Sequence, residues 1–362
     1  MPRTLPPKIK RIVIKLGSGT IAKYYLDPAA SGLSSLIEEI ACIQKQGLQV
    51  VLVSSGSIVL GLGEIKQQTR PSEVSSLQAL AAIGQNVLMN LYTQLLKKNK
   101  LRCAQILLTW DDFSDRLRYN NARNTILRVL DYGMIPIINE NDTISTDEIK
   151  FGDNDKLSAL VATLIDADLL LILSDVDGLY DTKSTERKVF HEIREVTKEI
   201  ESLALGTSKK NVSKGGMITK LEAVKIVTHA KIPCIIANAG TPRVLTDILK
   251  GEHVGTLFVE KEERLLAKRH WISFAAKPKG KIMIDAGAKQ ALLKGGKSLL
   301  LPGVVSWEGS FKKDDVVIIM SEEGQEIGRG ITHYSVGDLY QTKEKKQKSE
   351  VIHRDDMVLS ER

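Results

Sequence analysis

Two lysines of this chain stand beside glycines: Lys15 in KLGSG, and Lys220 at the end of KGGMITK. An ammonium at the end of an apolar run, with a glycine-rich turn after it, brings a compact positive charge and open backbone N–H groups together. That combination suits phosphate oxygens. Gly17, Ser18 and Gly19 would form the turn. The spacing is neither GxxxxGK[ST] nor GxGxxG, and a plain strand-to-helix turn has the same composition. In the second motif Lys214, Gly215, Gly216, Met217, Ile218 and Thr219 lead into a helix with Lys220 in its first turns. A cation there opposes the helix dipole, a penalty that an anionic ligand meeting the free N–H groups would offset.

Three polar clusters accompany the lysines. Val53-Ser54-Ser55-Gly56-Ser57 places small hydroxyls and a glycine after an apolar run, suited to a carboxylate or phosphate, or equally to a helix cap. Asn139-Glu140-Asn141-Asp142 follows another apolar run, and Gly152-Asp153-Asn154-Asp155 opens a helix soon after. So many polar groups beside a buried strand are costly unless they meet solvent or a polar ligand. They can orient lysines, receive an amino group, or cap the helix. Ser174-Asp175-Val176-Asp177-Gly178-Leu179-Tyr180 reads as a nucleotide loop or an ordinary Asp-Gly turn. The chain has no HExxH or CxxC spacing. Cys42, Cys103 and Cys234 are far apart and read as reduced, buried thiols, so no protein metal site is expected.

Positioning these groups requires alternating elements. Apolar runs at residues 12–16, 50–53, 104–108, 135–138, 169–173 and 234–237 predict strands, with helices at 33–46, 74–98, 122–131, 156–165 and 216–229. The alternation predicts an α/β fold with a mainly parallel sheet covered on both faces. The polar clusters follow strand ends, where ligands bind in such sheets. After about residue 277 the pattern becomes short β-type runs with Gly/Pro turns and one helix near 286–293. This predicts a catalytic domain over 1–275 and a small β-rich domain over 276–362.

With 43% hydrophobic and 26% charged residues, the composition is that of a soluble globular protein. No apolar run reaches the roughly 18–20 residues that would span a bilayer. The N-terminal MPRTLPPKIK runs straight into a strand and reads as neither signal nor anchor, so a cytoplasmic location is expected. The net charge of +7 admits an anionic ligand or nucleic acid. Its densest run, KEKKQK at 343–348, fits a solvated turn as well as an RNA contact.

Taken in order, KLGSG, VSSGS, INEND, GDND, SDVDGLY and KGGMITK resemble the amino-acid kinase family over nearly the whole chain. INEND followed by EIKFGDND resembles the branch that phosphorylates the side-chain carboxylate of L-glutamate. The resemblance implies a mostly parallel eight-stranded open sheet between helices and a C-terminal PUA-like β-barrel. It implies that Lys15 and Lys220 hold the ATP phosphates, with Asp155 orienting them. Ser55, Gly56, Asp142 and Asn154 would bind glutamate. Ser174 and Asp175 would lie near the nucleotide, over which residues 214–220 close. It further implies Mg²⁺ with ATP, and proline as a feedback inhibitor acting through a loop containing Glu148 and Lys150. A homodimer or homotetramer and coupling to a glutamyl-phosphate reductase are also implied. Lys214 departs from the family's usual Thr, and the PUA-like end before IHRDDM is shortened. The alternatives are a family member acting on aspartate, acetylglutamate, carbamate or uridylate, or an RNA-binding protein using its C-terminal domain. With 5% aromatic residues, the chain has no evident stacking platform for RNA.

Overall fold

The first strand, β1 (Arg11–Leu16, RIVIKL), is apolar at successive positions, and Ile12, Val13, Ile14 and Leu16 are fully buried. Such a strand is covered on both faces, as expected at the centre of a parallel sheet. The computed structural model describes residues 3, 5–6, 8–29, 32–145, 154–181, 188–206, 216–261, 267–344 and 349–359. Glu148, Lys150, Lys214 and Gly215 lie outside the described residues. Two compact units are formed, Met1–Arg264 and Leu265–Arg362.

In the first unit β1 leads to α1 (Ser18–Leu26), α2 (Leu33–Lys45), β2 (Gln49–Ser54), α3 (Ser57–Glu64), α4 (Val74–Lys98), β3 (Cys103–Leu108), α5 (Trp110–Ser114), α6 (Arg116–Asp131) and β4 (Ile135–Glu140). There follow α7 (Asp155–Leu164), β5 (Leu169–Ser174), β6 (Tyr180–Asp181), β7 (Lys188–Val189), β8 (Glu192–Ile193), α8 (Lys198–Gly206), α9 (Met217–His229), β9 (Cys234–Asn238), α10 (Val244–Leu249) and β10 (Thr256–Phe258). An eight-stranded sheet has the order β3-β4-β2-β1-β5-β9-β10-β8. Its pairs are parallel except β9–β10, which is antiparallel. This is the mostly parallel sheet the sequence predicts. Register pairs Leu16 with Ser54, Leu16 with Leu173, Val53 with Ile138, and Ser174 with Asn238. The carboxyl ends of five adjacent strands therefore form one polar edge.

Helix α4 matches its predicted span and buries Leu77, Leu80, Ala81, Gly84, Leu88, Tyr92, Leu95 and Leu96 along one stripe. Its contact with α3 is backbone on backbone. A Cβ on Gly84 would lie 1.8 Å from the Ser57 carbonyl oxygen, and one on Gly61 would lie 2.1 Å from that of Leu80. Helix α6 begins at Arg116, earlier than the expected 122, because the Asp115 side chain accepts from the Arg118 N–H and caps it there. Among the described residues no helix is long and apolar enough to cross a membrane.

The second unit begins with α11 (Ala267–His270) and a π-helix (Trp271–Ala275). A five-stranded sheet then holds β11 (Gly280–Ile284), β13 (Val304–Gly309), β14 (Val316–Ser321), β15 (Glu326–Ile331) and β17 (Met357–Leu359). β12 (Leu299–Leu300) pairs with β16 (Glu350–Ile352). Ile282, Ile284, Val317, Ile319, Leu339, Val351 and Ile352 build a separate core. Besides α12 (Ala286–Gly295) there is α13 (Val336–Glu344), where the sequence pattern predicts one helix only. Ser335 and Asp338 hold its start reciprocally: the Ser335 N–H donates to Asp338 Oδ2 at 2.9 Å, and the Asp338 N–H to Ser335 Oγ at 3.1 Å. A capping pair at this spacing is the signal that marks the helix.

Candidate functional site

The polar edge is centred on Asp155, in the first turn of α7, which is 0% exposed. Its Oδ1 lies 2.7 Å from Lys15 Nζ, delivered by β1, and its Oδ2 lies 3.1 Å from Lys220 Nζ, delivered by α9. Both lysines are buried, and the Thr219 hydroxyl is 3.1 Å from the same Oδ2. Taking three charges out of water is unfavourable unless they are well paired. Two ammonium groups are gathered on one buried carboxylate, which presents paired cations at the polar edge, a setting suited to phosphate oxygens.

The electrostatics beyond the cluster point the same way. Helices α1, α3, α7 and α9 begin at this edge, and none has a side-chain hydrogen bond capping its first turn. Gly17 is the N-cap of α1, with Ser18 and Gly19 inside the first turn, and Gly216 is the N-cap of α9, with Met217, Ile218 and Thr219 following. The positive ends of the helices reinforce the lysines. The N-cap residues Gly56 and Asn154 make no side-chain cap hydrogen bond, while Asp155 stands in the first turn of α7, where a carboxylate suits the helix dipole.

Toward β2 and β4 the polar groups interlock. Ser57 Oγ donates to Asp142 Oδ2 at 3.3 Å. Asn154 Nδ2 donates to the Ser54 carbonyl at 2.8 Å and to Asn139 Oδ1 at 2.6 Å. Asn154 Oδ1 and Ser55 Oγ are buried and have no hydrogen-bond partner among the described residues. A buried acceptor and hydroxyl left this way are unfavourable by themselves and fit a polar ligand. Between them Gly56 adopts φ +110°, a conformation strained for side-chain-bearing residues.

Toward β5 and β9, Ser174 Oγ donates to Asp175 Oδ1 at 2.9 Å. Asp177 accepts from Asn238 Nδ2 at 2.9 Å and from the Tyr180 hydroxyl at 2.7 Å, and these bonds hold its carboxyl below the usual range. Burial, with the Asp155 carboxylate adding to it, pushes the Cys234 thiol well up. Among the described residues no group of three His, Cys, Asp or Glu side chains could hold a metal. The donors at the cluster are cationic, which suits a divalent ion carried in by phosphate oxygens rather than by a protein cage. Sequence reasoning missed Asn139 as a structural partner of Asn154, and also Asn238. Each follows directly on a predicted strand, and that position is the signal that could have found them.

The profile of the amino acid kinase family matches residues 10–238, and that of the PUA domain residues 280–354. A relative from Dictyoglomus thermophilum named Glutamate 5-kinase is 44% identical over 98% of this chain and 98% of its own. Another of that name from Syntrophotalea carbinolica is 42% identical over 99% of this chain and 100% of its own. The structure of a carbamate kinase from Giardia lamblia bound to AMP-PNP matches with a TM-score of 0.50 at 17% identity. It covers 70% of this chain and 99% of its own, a likeness of fold.

Proposed function

This chain belongs to the amino acid kinase family, among its glutamate 5-kinases, and we propose that it transfers the γ-phosphoryl group of ATP to the side-chain carboxylate of L-glutamate. The observation that carries the reading is the buried Lys15–Asp155–Lys220 cluster, two ammonium groups held on one carboxylate at the polar edge. A glutamate side chain, with a pKa near ~4.3, is already ionised at neutral pH and needs no general base. The difficulty is bringing that anion up to a polyanion. Catalysis is then positioning and charge stabilisation, as in phosphoryl transfer generally.

In this reading Lys15 and Lys220 hold the phosphate oxygens around the transferring group, and Asp155 keeps both ammonium groups in register. Gly17, Ser18 and Gly19 offer backbone N–H groups, as do Gly216 and Met217. Asn154 Oδ1 accepts from the substrate ammonium, while Ser55, Gly56 and Asp142 line the same side. Ser174 and Asp175 attend the nucleotide. A carboxylate oxygen forms the new O–P bond as the bond to the bridging oxygen breaks, and ADP leaves with that electron pair. The cationic residues here would leave Mg²⁺ to the ATP phosphates, and when bound it would neutralise part of their charge.

The product is an acyl phosphate, a reactive mixed anhydride, so a reductase that consumes it promptly belongs next in the route to proline. Proline, sharing an ammonium and a carboxylate with glutamate, acts as competing inhibitor, and the enzyme works in the cytoplasm as a homodimer or homotetramer.

The test is ADP release from ATP and Mg²⁺ with L-glutamate, with and without hydroxylamine and proline. Glutamate-dependent ADP and a γ-glutamyl hydroxamate are expected, with suppression by proline. Turnover with aspartate, acetylglutamate, carbamate or uridylate in place of glutamate would overturn the substrate assignment.

A further inference from the structure

Helix α4 carries two polar side chains on the stripe that faces the sheet, Gln85 and Tyr92, two turns apart. The Tyr92 hydroxyl is fully buried and 2.8 Å from Ser54 Oγ. Gln85 Oε1 accepts from Asn139 Nδ2 at 2.8 Å. Asn139 Oδ1 in turn accepts from Asn154 Nδ2 at 2.6 Å, and Asn154 Nδ2 also donates to the Ser54 carbonyl at 2.8 Å. The polar chain thus leaves α4 at one residue, crosses the ends of β4 and α7, and returns to α4 at the other.

Backbone groups fix the direction of this chain. The Glu140 N–H donates to Asn139 Oδ1 at 2.9 Å, so the Asn139 oxygen faces that way and its Nδ2 must find an acceptor elsewhere. Gln85 supplies it. The Ser54 carbonyl can only accept, which sets Asn154 Nδ2 toward it and turns Asn154 Oδ1 outward, buried and without a hydrogen-bond partner among the described residues. Gln85 Nε2 is itself buried and unbonded among the described residues. That arrangement serves the Asn139 contact rather than the glutamine's own satisfaction.

We infer that Gln85 is a positioning residue for acceptor recognition: through Asn139 it holds Asn154 Oδ1 as the acceptor for the substrate's α-ammonium group. The inference rests on the reading of the site as a glutamate site. Without the Gln85 oxygen, Asn139 Nδ2 loses its partner, and the amide pair keeps only the Glu140 N–H and the Ser54 carbonyl as restraints. Recognition of the ammonium then suffers, while the lysine cluster is untouched.

The test compares binding and kinetics of L-glutamate with binding of glutarate, which lacks only the amino group, in wild type, Gln85→Leu and Gln85→Glu. In wild type L-glutamate binds more tightly than glutarate. Gln85→Leu weakens L-glutamate by about tenfold, as loss of one charge-assisted hydrogen bond would, and raises its KM, leaving glutarate affinity and the KM for ATP within about twofold. Gln85→Glu, which keeps an oxygen on Asn139, restores most of the discrimination. Equal losses for both ligands in Gln85→Leu, or no loss for either, would overturn the inference. Equal binding of both ligands by wild type would overturn the site reading itself. Thermal unfolding accompanies each variant, and Gln85→Met replaces the leucine variant if that one does not fold.

Discussion

Lys15 Nζ stands 2.7 Å from Asp155 Oδ1, with the lysine 3% exposed and the aspartate fully enclosed. The pair joins the end of the first strand to the start of a helix far along the chain. It therefore links the electrostatics of the site to the closure of the fold, and its two members should fail differently. Lys15→Ala removes a charge that faces the transferring group and should lower kcat by about 10²–10³ while leaving the KM for glutamate close to wild type. Asp155→Asn leaves two buried ammonium groups without their carboxylate. It should destabilise by roughly 3–5 kcal/mol. ATP should then raise its thermal midpoint more than that of wild type, because phosphate replaces the missing charge; an equal shift in both proteins would refute this.

The α3–α4 contact yields a stability prediction. A methyl group at Gly84 meets the Ser57 carbonyl oxygen at 1.8 Å, a distance that backbone atoms can relieve only by moving the helices apart. Gly84→Ala should cost about 1–3 kcal/mol or more in urea unfolding. Because Ser57 also donates to Asp142, the KM for glutamate should rise with it.

Alkaline pH should expose the buried thiol and phenol. Burial pushes the pKa of the Cys234 thiol and of the Tyr92 phenol up, so both stay protonated in the native state. The unfolded chain ionises at about 8.5 for Cys and about 10 for Tyr, which makes stability fall as pH rises through those values. Cys234→Ala should remove the lower part of that decline in thermal midpoint. Iodoacetamide at mild alkaline pH should label exposed Cys42 before Cys234, as peptide mass spectrometry would read.

Acid affects the other flank. Bonds from Asn238 and Tyr180 keep the Asp177 carboxyl below its ordinary value. Their stabilising effect is present above the unfolded pKa, near ~3.9, and disappears as pH falls through the lower native value. Asp177→Asn should therefore lower stability at neutral pH and flatten the acid limb of the stability profile below about pH 4, where wild type has already lost this contribution. An acid limb unchanged in Asp177→Asn would exclude this role.

Much of the sheet was legible because β1, β2 and β5 are nearly unbroken aliphatic runs, and α4 repeats its apolar stripe over many turns. The short strands β8 and β10 were not, since two or three residues carry no periodicity and depend on their neighbours. Lys15, Ser55, Asp142, Asn154 and Lys220 stood out because each follows an apolar run or a glycine. Gln85 and Tyr92 did not. Within α4 they read as ordinary polar and aromatic positions, and their partners, Asn139 and Ser54, lie far away in sequence.

The strand order gives the site a left and a right. From β4 and β2 through β1 to β5 and β9, neighbouring strands are separated by about 4.8 Å. In the proposed reading the acceptor lies on one side of β1 and the nucleotide on the other, with Lys15 on the dividing strand. An engineer wishing to change the acid phosphorylated would begin with the segments after β2 and β4, keeping Asp155, which lies beyond β4 and holds the lysines of both sides.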